Sequence, residues 1–226
     1  MDGKSGEHAL DALLPALRIV DQVQEALSQS ILNGDLSSGS ALSVPDIARK
    51  LNVSRSPVRE AVLALVAKGL AVEHPRRGVV VTTIEPEDLV AIHEVREFLE
   101  SCAARYCAAR IDDAGVASLR AIMDTQKAAV DRHSAQGYFR SNADLHRTIA
   151  QHGGNSRLVA IMLPLENQMR IALHRVSADV SHMRRGYEEH LRIVDAIAAH
   201  DSEAAESAMR RHIAGTIERV RNLGPK

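Results

Sequence analysis

Two groups of residues in this 226-residue chain have types and spacings that could do chemistry. The first consists of polar side chains set into apolar helical stripes. Asn142 and His146 are four apart, so a helix puts them on one face with Phe139, Leu145 and Ile149, pointing inward. His190 falls on the stripe of Tyr187, Val194 and Ile197, and His212 on that of Met209, beside Ile213. Both lie eleven residues from Asp201, where their two helices meet. At about 1.5 Å per residue, an antiparallel hairpin brings both to one level, roughly 16 Å from the turn. Three imidazoles and an amide oxygen converging in a core suit a divalent ion, Zn2+ first and Ni2+ second, with positions left open for water or a ligand. A lone buried histidine is more often a hydrogen-bonded core residue, and it is the symmetric spacing that favours ligation. Arg96 shares a face with Ile92, Leu99 and Ala103. A buried guanidinium needs an anionic partner, either an internal carboxylate or a bound ligand.

The second group is basic. Between Ser37 and Ile84 stand Arg49, Lys50, Arg55, Arg59, Lys68, Arg76 and Arg77, against Asp46, Glu60 and Glu73. The whole chain carries a formal charge of −1, so this window is basic within a nearly neutral molecule. Ser54, Arg55, Ser56 and Arg59 cluster where a helix is expected to begin, so side chains and free backbone N–H groups can meet phosphates and base edges together. Arg55 and Arg59 can each fork onto a guanine. Arg76, Arg77 and Gly78 suit a narrow minor groove, since glycine permits close approach and arginine seeks negative potential.

The elements that must position these groups follow from the apolar periodicity. Leu17, Val20, Val23, Leu27 and Ile31 predict a helix ended by Asn33 and Gly34. Ser43, with Asp46 three residues on, opens a short helix through Leu51, and Asn52 suits a left-handed turn. Ser56 and Pro57 read as the N-cap and first residue of a third helix whose buried face is Val58, Ala61, Val62, Leu65 and Val66. Leu70 to Glu73 and Val79 to Thr83 flank the turn-like HPRRG as a small hairpin. Three short helices and a basic hairpin make a winged helix-turn-helix. Helices are then expected at about 87–110, 113–133, 136–152, 156–177, 180–199 and 202–222. The fold class is mainly α, with a DNA-binding domain at 1–84 and an all-helical domain at 85–226. Aromatic residues are 2% of the chain, so its cores must be built from Leu, Ile, Val, Ala and Met.

No apolar run approaches the roughly 20 residues of a membrane span, and the polar start lacks a signal-peptide core, so a cytoplasmic protein is expected. Cys102 and Cys107, five apart on a helix, diverge and should stay reduced. The other histidines (His8, His74, His93, His133, His152, His174, His182 and His200) show no such convergence and read as surface, cap or packing residues.

The run SVPDIARKLNVSRSPVREAVLALVAKGLAVEHPRRGVVV resembles the DNA-binding domain of GntR-type bacterial regulators, most specifically in SRSPVREA. The resemblance implies that Arg49, Ser54, Arg55, Arg59, Arg77 and Gly78 contact DNA. Residues from about 88 to 220, with VREFLE, NADLHRTIAQHGGN, EHLRIVDAIAAHD and MRRHI, are similar to the FCD ligand-sensing domain of the FadR subgroup. That implies a metal set of Asn142, His146, His190 and His212, with Asn142 where the family carries Asp, and an Arg96 that helps hold a carboxylate effector. A homodimer on double-stranded operator DNA, answering to a small organic acid held between Arg96 and the metal, is the expected function. The alternative is a regulator for which the ion itself is the signal. An enzyme is not expected: no HExxH or Ser-His-Asp signature appears, and no carboxylate is placed on the histidine face as a general base.

Overall fold

The computed structural model describes residues 5–173 and 180–222, with side chains from residue 19 onward except at 86, 173 and 222; the side chain of His8, and His174, lie outside the described residues. The chain folds as two compact units, Met1–Thr83 and Ile84–Lys226.

In the first unit, α1 (Ser5–Leu32) precedes α2 (Val44–Leu51), α3 (Arg55–Ala67) and an antiparallel hairpin of β1 (Ala71–His74) and β2 (Gly78–Val81). The first helix is therefore 28 residues long rather than short. Ser43 caps α2 by accepting from the backbone N–H of Asp46 at 3.4 Å, and Asn52 ends it in the left-handed region, φ 54°. The start of α3 differs from expectation. Ser54, extended at φ −70° and ψ 163°, is the residue before the helix, so α3 begins two residues earlier than a Ser56 cap would have it. Pro57 does not oppose this, because its missing N–H falls among the first-turn donors that have no intrahelical acceptor. Ser56 instead donates through its hydroxyl to Glu60 Oε1 at 3.2 Å. Val58, Ala61, Val62 and Leu65 are buried, with Val66 half-buried, and they meet Val23, Leu27 and Ile31 in a core that Leu70, Ala71, Val80 and Val81 extend under the hairpin.

The second unit is an all-helical bundle: α4 (Pro86–Arg110), α5 (Asp113–Asp131), α6 (Ala135–His152), α7 (Ser156–Leu173), α8 (Val180–Ala198) and α9 (Ser202–Asn222). Caps set the registers. Glu85 and Asp88 form a reciprocal capping box at α4, Asp112 accepts from Gly115 N–H at 2.8 Å at α5, and Ser134 from Gly137 N–H at 3.1 Å at α6. The core joins five of the six helices through Ala104, Cys107, Leu119, Met123, Leu145, Ile149, Ile193, Ile197, Met209 and Ile213. Burial raises the Cys107 thiol to about 12, which keeps it an inert packing group. His133 and His200 follow α5 and α8 in left-handed backbone, as capping residues. No helix among the described residues is long and apolar enough to cross a membrane.

Candidate nucleic-acid interface and buried histidine site

The basic residues of the first unit stand on its surface. Ser54, Arg55, Ser56 and Arg59 are all exposed around the first turn of α3, the second helix of the helix-turn-helix pair. Arg49, near the end of α2, is exposed and pairs loosely with Asp46 at 3.0 Å, a contact that water screens. Arg76, Arg77 and Gly78 lie exposed at the hairpin tip, where Arg77 N–H donates to His74 O at 3.1 Å and Gly78 takes φ 68°. That positive φ is why glycine, and not a side-chain-bearing residue, suits this turn.

The second unit buries polar groups that the first does not. His146 on α6, His190 on α8 and His212 on α9 are 4%, 0% and 6% exposed, and one ligand nitrogen from each lies within 4.8 Å of the other two. His190 Nε2 and His212 Nε2 are 3.2 Å apart. Two nitrogens bound to one tetrahedral ion at about 2.05 Å lie about 3.3 Å apart, so the spacing fits. The outer nitrogens are each held. His146 Nδ1 donates to Glu100 Oε2, His212 Nδ1 donates to Glu189 Oε2 at 2.8 Å, and His190 Nδ1 lies 2.8 Å from Gln126 Oε1. With Nδ1 engaged, Nε2 is the nitrogen that His190 and His212 turn toward each other, the arrangement that outer partners impose on metal-binding histidines. A donor set of three imidazoles suits Zn2+ or Ni2+. Asn142 lies one turn before His146 on α6, half-buried.

The charges around the cluster explain its electrostatics. Burial opposes ionisation of Glu100, but Arg96 and His146 override it and hold its carboxyl well below the usual range. Burial likewise works against Glu189, whose bonds from His212 and Arg219 bring it down to about 2. Arg219 forks onto Glu189 at 3.1 and 3.2 Å. Burial, then the neighbouring imidazoles, push His190 well below its ordinary value. Burial also lowers His212, against the Glu189 bond that favours its charged form. Neutral rings result, and only a neutral imidazole offers a lone pair to a metal.

Arg96 is buried and donates from Nε to Glu100 Oε1 at 2.6 Å. The internal carboxylate is thus present, and among the described residues its Nη atoms meet no second one. The sequence pattern places no carboxylate on the histidine face as a general base, yet two carboxylates bond the rings from outside. Glu100 reaches His146 from α4, and Glu189 reaches His212 from its place beside His190. The signal for Glu100 was its i,i+4 spacing from Arg96, whereas its contact with His146 depends on how α4 packs on α6. His93, expected as a surface, cap or packing residue, is 2% exposed, lies 2.7 Å from Leu89 O through Nδ1, and is lowered to about 4 by burial and then by Arg96.

An exposed arginine-rich reading helix with a wing, joined in one chain to a helical bundle that buries an imidazole cluster, defines a DNA-binding regulator with a sensing domain. Residues 19–81 match the bacterial regulatory proteins of the gntR family, and residues 91–215 match the FCD domain. The chain belongs to the GntR family, in its FCD-bearing, FadR-type group, and is a transcription regulator rather than an enzyme. It is 28% identical over 217 residues to the HTH-type transcriptional repressor NanR of Escherichia coli K12, covering 87% of this chain and 82% of that one. The NanR of Enterobacter sp. strain 638 is 29% identical, with 87% and 83% covered. Among solved structures, E. coli McbR/YncC superposes with a TM-score of 0.76 at 21% identity, covering 91% of this chain and 98% of that one. A GntR regulator from Rhodococcus sp. RHA1 gives 0.76 at 24% identity, covering 91% and 99%, and both support the fold.

Proposed function

We propose that this protein is a cytoplasmic, homodimeric repressor that reads a two-fold operator and is released from it or tightened on it by a small organic acid. One short reading helix contacts too few base pairs for useful specificity, so two copies are needed. In this reading Arg55 and Arg59 meet base edges, while Arg49, Ser54 and Ser56 hold phosphates and Arg76, Arg77 and Gly78 enter the minor groove. Repression is the sign carried by the names of the NanR relatives. The C-terminal unit holds one divalent ion, Zn2+ before Ni2+, on His146, His190 and His212, with Asn142 as the candidate fourth donor. When bound, the ion supplies a Lewis-acidic anchor for a carboxylate, whose other end Arg96 receives through its Nη atoms.

The observation that carries the reading is the 3.2 Å approach of His190 Nε2 to His212 Nε2, with both outer nitrogens engaged. Elemental analysis of the purified protein tests it. About one zinc or nickel per chain is expected, falling in His190→Ala and His212→Ala. A metal-free wild type whose melting temperature ignores chelators would overturn the site and leave three core histidines. The Arg96–Glu100 pair favours a second reading, in which the ion alone is the signal, because Arg96 already has a partner. Operator binding titrated with metal and with organic acids separately distinguishes the two.

A further inference from the structure

The three histidines are not held alike. His146 and His212 give their Nδ1 protons to carboxylates, and an ionised carboxylate only accepts, so both rings are fixed with a proton on Nδ1. His190 faces an amide. Gln126, fully buried on α5, places Oε1 at 2.8 Å from His190 Nδ1, and an amide can accept through oxygen or, turned by 180°, donate through nitrogen. Among the described residues its Nε2 has no hydrogen-bond partner, and it is buried. A buried unpaired N–H group costs more than an under-used carbonyl oxygen, so this orientation is the dearer one for the amide itself.

We propose that Gln126 is a positioning residue that switches His190 between two neutral tautomers, one for the metal-loaded and one for the metal-free protein, a role that rests on the metal site proposed above. With an ion bound, His190 must carry its proton on Nδ1, donate to Gln126 Oε1 and offer a bare Nε2. Without one, two bare Nε2 atoms at 3.2 Å set lone pair against lone pair. The metal-free protein resolves this by placing the His190 proton on Nε2, which donates to His212 Nε2. The amide turns, its N–H2 donates to His190 Nδ1, and the orphan position receives the carbonyl oxygen. One proton leaves Nδ1 and one arrives at Nε2 by exchange with water, so the ring stays neutral. Release of the ion therefore replaces two opposed lone pairs with a hydrogen bond, and the cluster can empty and refill without unfolding.

The His190 tautomer can be read by 15N NMR of imidazole-labelled full-length protein, before and after one equivalent of zinc, beside a zinc affinity from competition with a chromophoric chelator. Metal-free wild type should show His190 protonated on Nε2, and zinc should move the proton to Nδ1. Gln126→Glu, whose ionised carboxylate only accepts, should hold the Nδ1–H form in both states and bind zinc about 10- to 100-fold more tightly, the usual span of an outer-partner change. Gln126→Leu should weaken zinc binding while leaving His190 on Nε2 in the metal-free form. A wild type that binds zinc but carries the Nδ1 proton in both states overturns the switch. So does a folded Gln126→Glu with unchanged affinity. A wild type that takes up no zinc overturns instead the metal reading beneath it. The wild-type spectra need no variant, so the switch can fail even if Gln126→Glu does not fold.

Discussion

Glu100 is held from opposite sides, by the Arg96 guanidinium at one oxygen and by the His146 N–H at the other. Removing one partner of such a buried pair leaves an uncompensated charge, which costs more than the pair contributes. The neighbouring rings add an acid sensitivity whose direction follows from their lowered values. An unfolded histidine takes its proton near 6.5, but folded His93 waits until about 4, and His190 and His212 also resist. Their contribution is complete above pH 6.5 and is lost as pH falls below it, with the His93 share gone by about 4. Glu100 and Glu189, depressed when folded, lose theirs further down as they protonate. With chelator present, the melting temperature should therefore fall steadily from pH 7 to pH 4, and His93→Gln should make that slope shallower between about pH 6.5 and pH 4. A midpoint constant over this range would contradict the burial of neutral imidazoles. On the DNA side, Arg59→Ala should cost about 1–3 kcal/mol on the specific site and less on random duplex. Equal losses on both would remove base reading from Arg59. At this scale the sequence showed the histidines, because polar residues interrupting an apolar stripe are visible in a string. Gln126 interrupts the Leu119, Met123 and Val130 stripe in the same way, but an amide in a core draws less notice than an imidazole. Glu100 was only half visible, because its Arg96 partner follows from spacing while its contact with His146 comes from packing.

At the scale of elements, the bundle registers its histidines through close helix contacts. Gly186 on α8 faces Tyr138 on α6 so tightly that a Cβ there would stand 2.0 Å from the tyrosine oxygen and 3.3 Å from Cζ. Tyr138 is buried in a cluster with Ala129, Val130 and Met183. Gly186→Ala should therefore force α6 and α8 apart and destabilise the unit by about 1–3 kcal/mol, as overpacking does. Tyr138→Phe in the same chain should recover most of that loss, because the oxygen is the atom in the way. Chemical denaturation of the two single variants and the double variant checks this, and simple additivity would show that the contact is not the cause. The bundle helices were legible to within about two residues where they are described, since long amphipathic segments with Asp112, Ser134 and Gly153 at their ends leave strong marks. The last residues of the helix expected at 156–177 lie outside the described residues. The start of α3 was not, because Ser54 and Ser56 are both credible caps and only the backbone decides between them.

For the whole molecule, the reader and the sensor belong to separate units, Met1–Thr83 and Ile84–Lys226, so any response of DNA binding to a ligand requires coupling between them. The sequence contains this division in its shift from a basic, turn-rich window to uninterrupted helices. It does not contain the ligand, because the walls of a binding site come from several helices at once. The most direct test measures operator affinity by fluorescence anisotropy, using a duplex site selected from random DNA, with zinc-loaded protein and a panel of small carboxylic acids. Coupling between sites is typically worth about 1–3 kcal/mol, so at least one acid should change the wild-type affinity by roughly 5- to 150-fold. Arg96→Ala should keep zinc and DNA binding and lose most of that response. An Arg96→Ala protein that answers the same acid as fully as the wild type would contradict the account and leave Arg96 as the ion-pair partner of Glu100 alone.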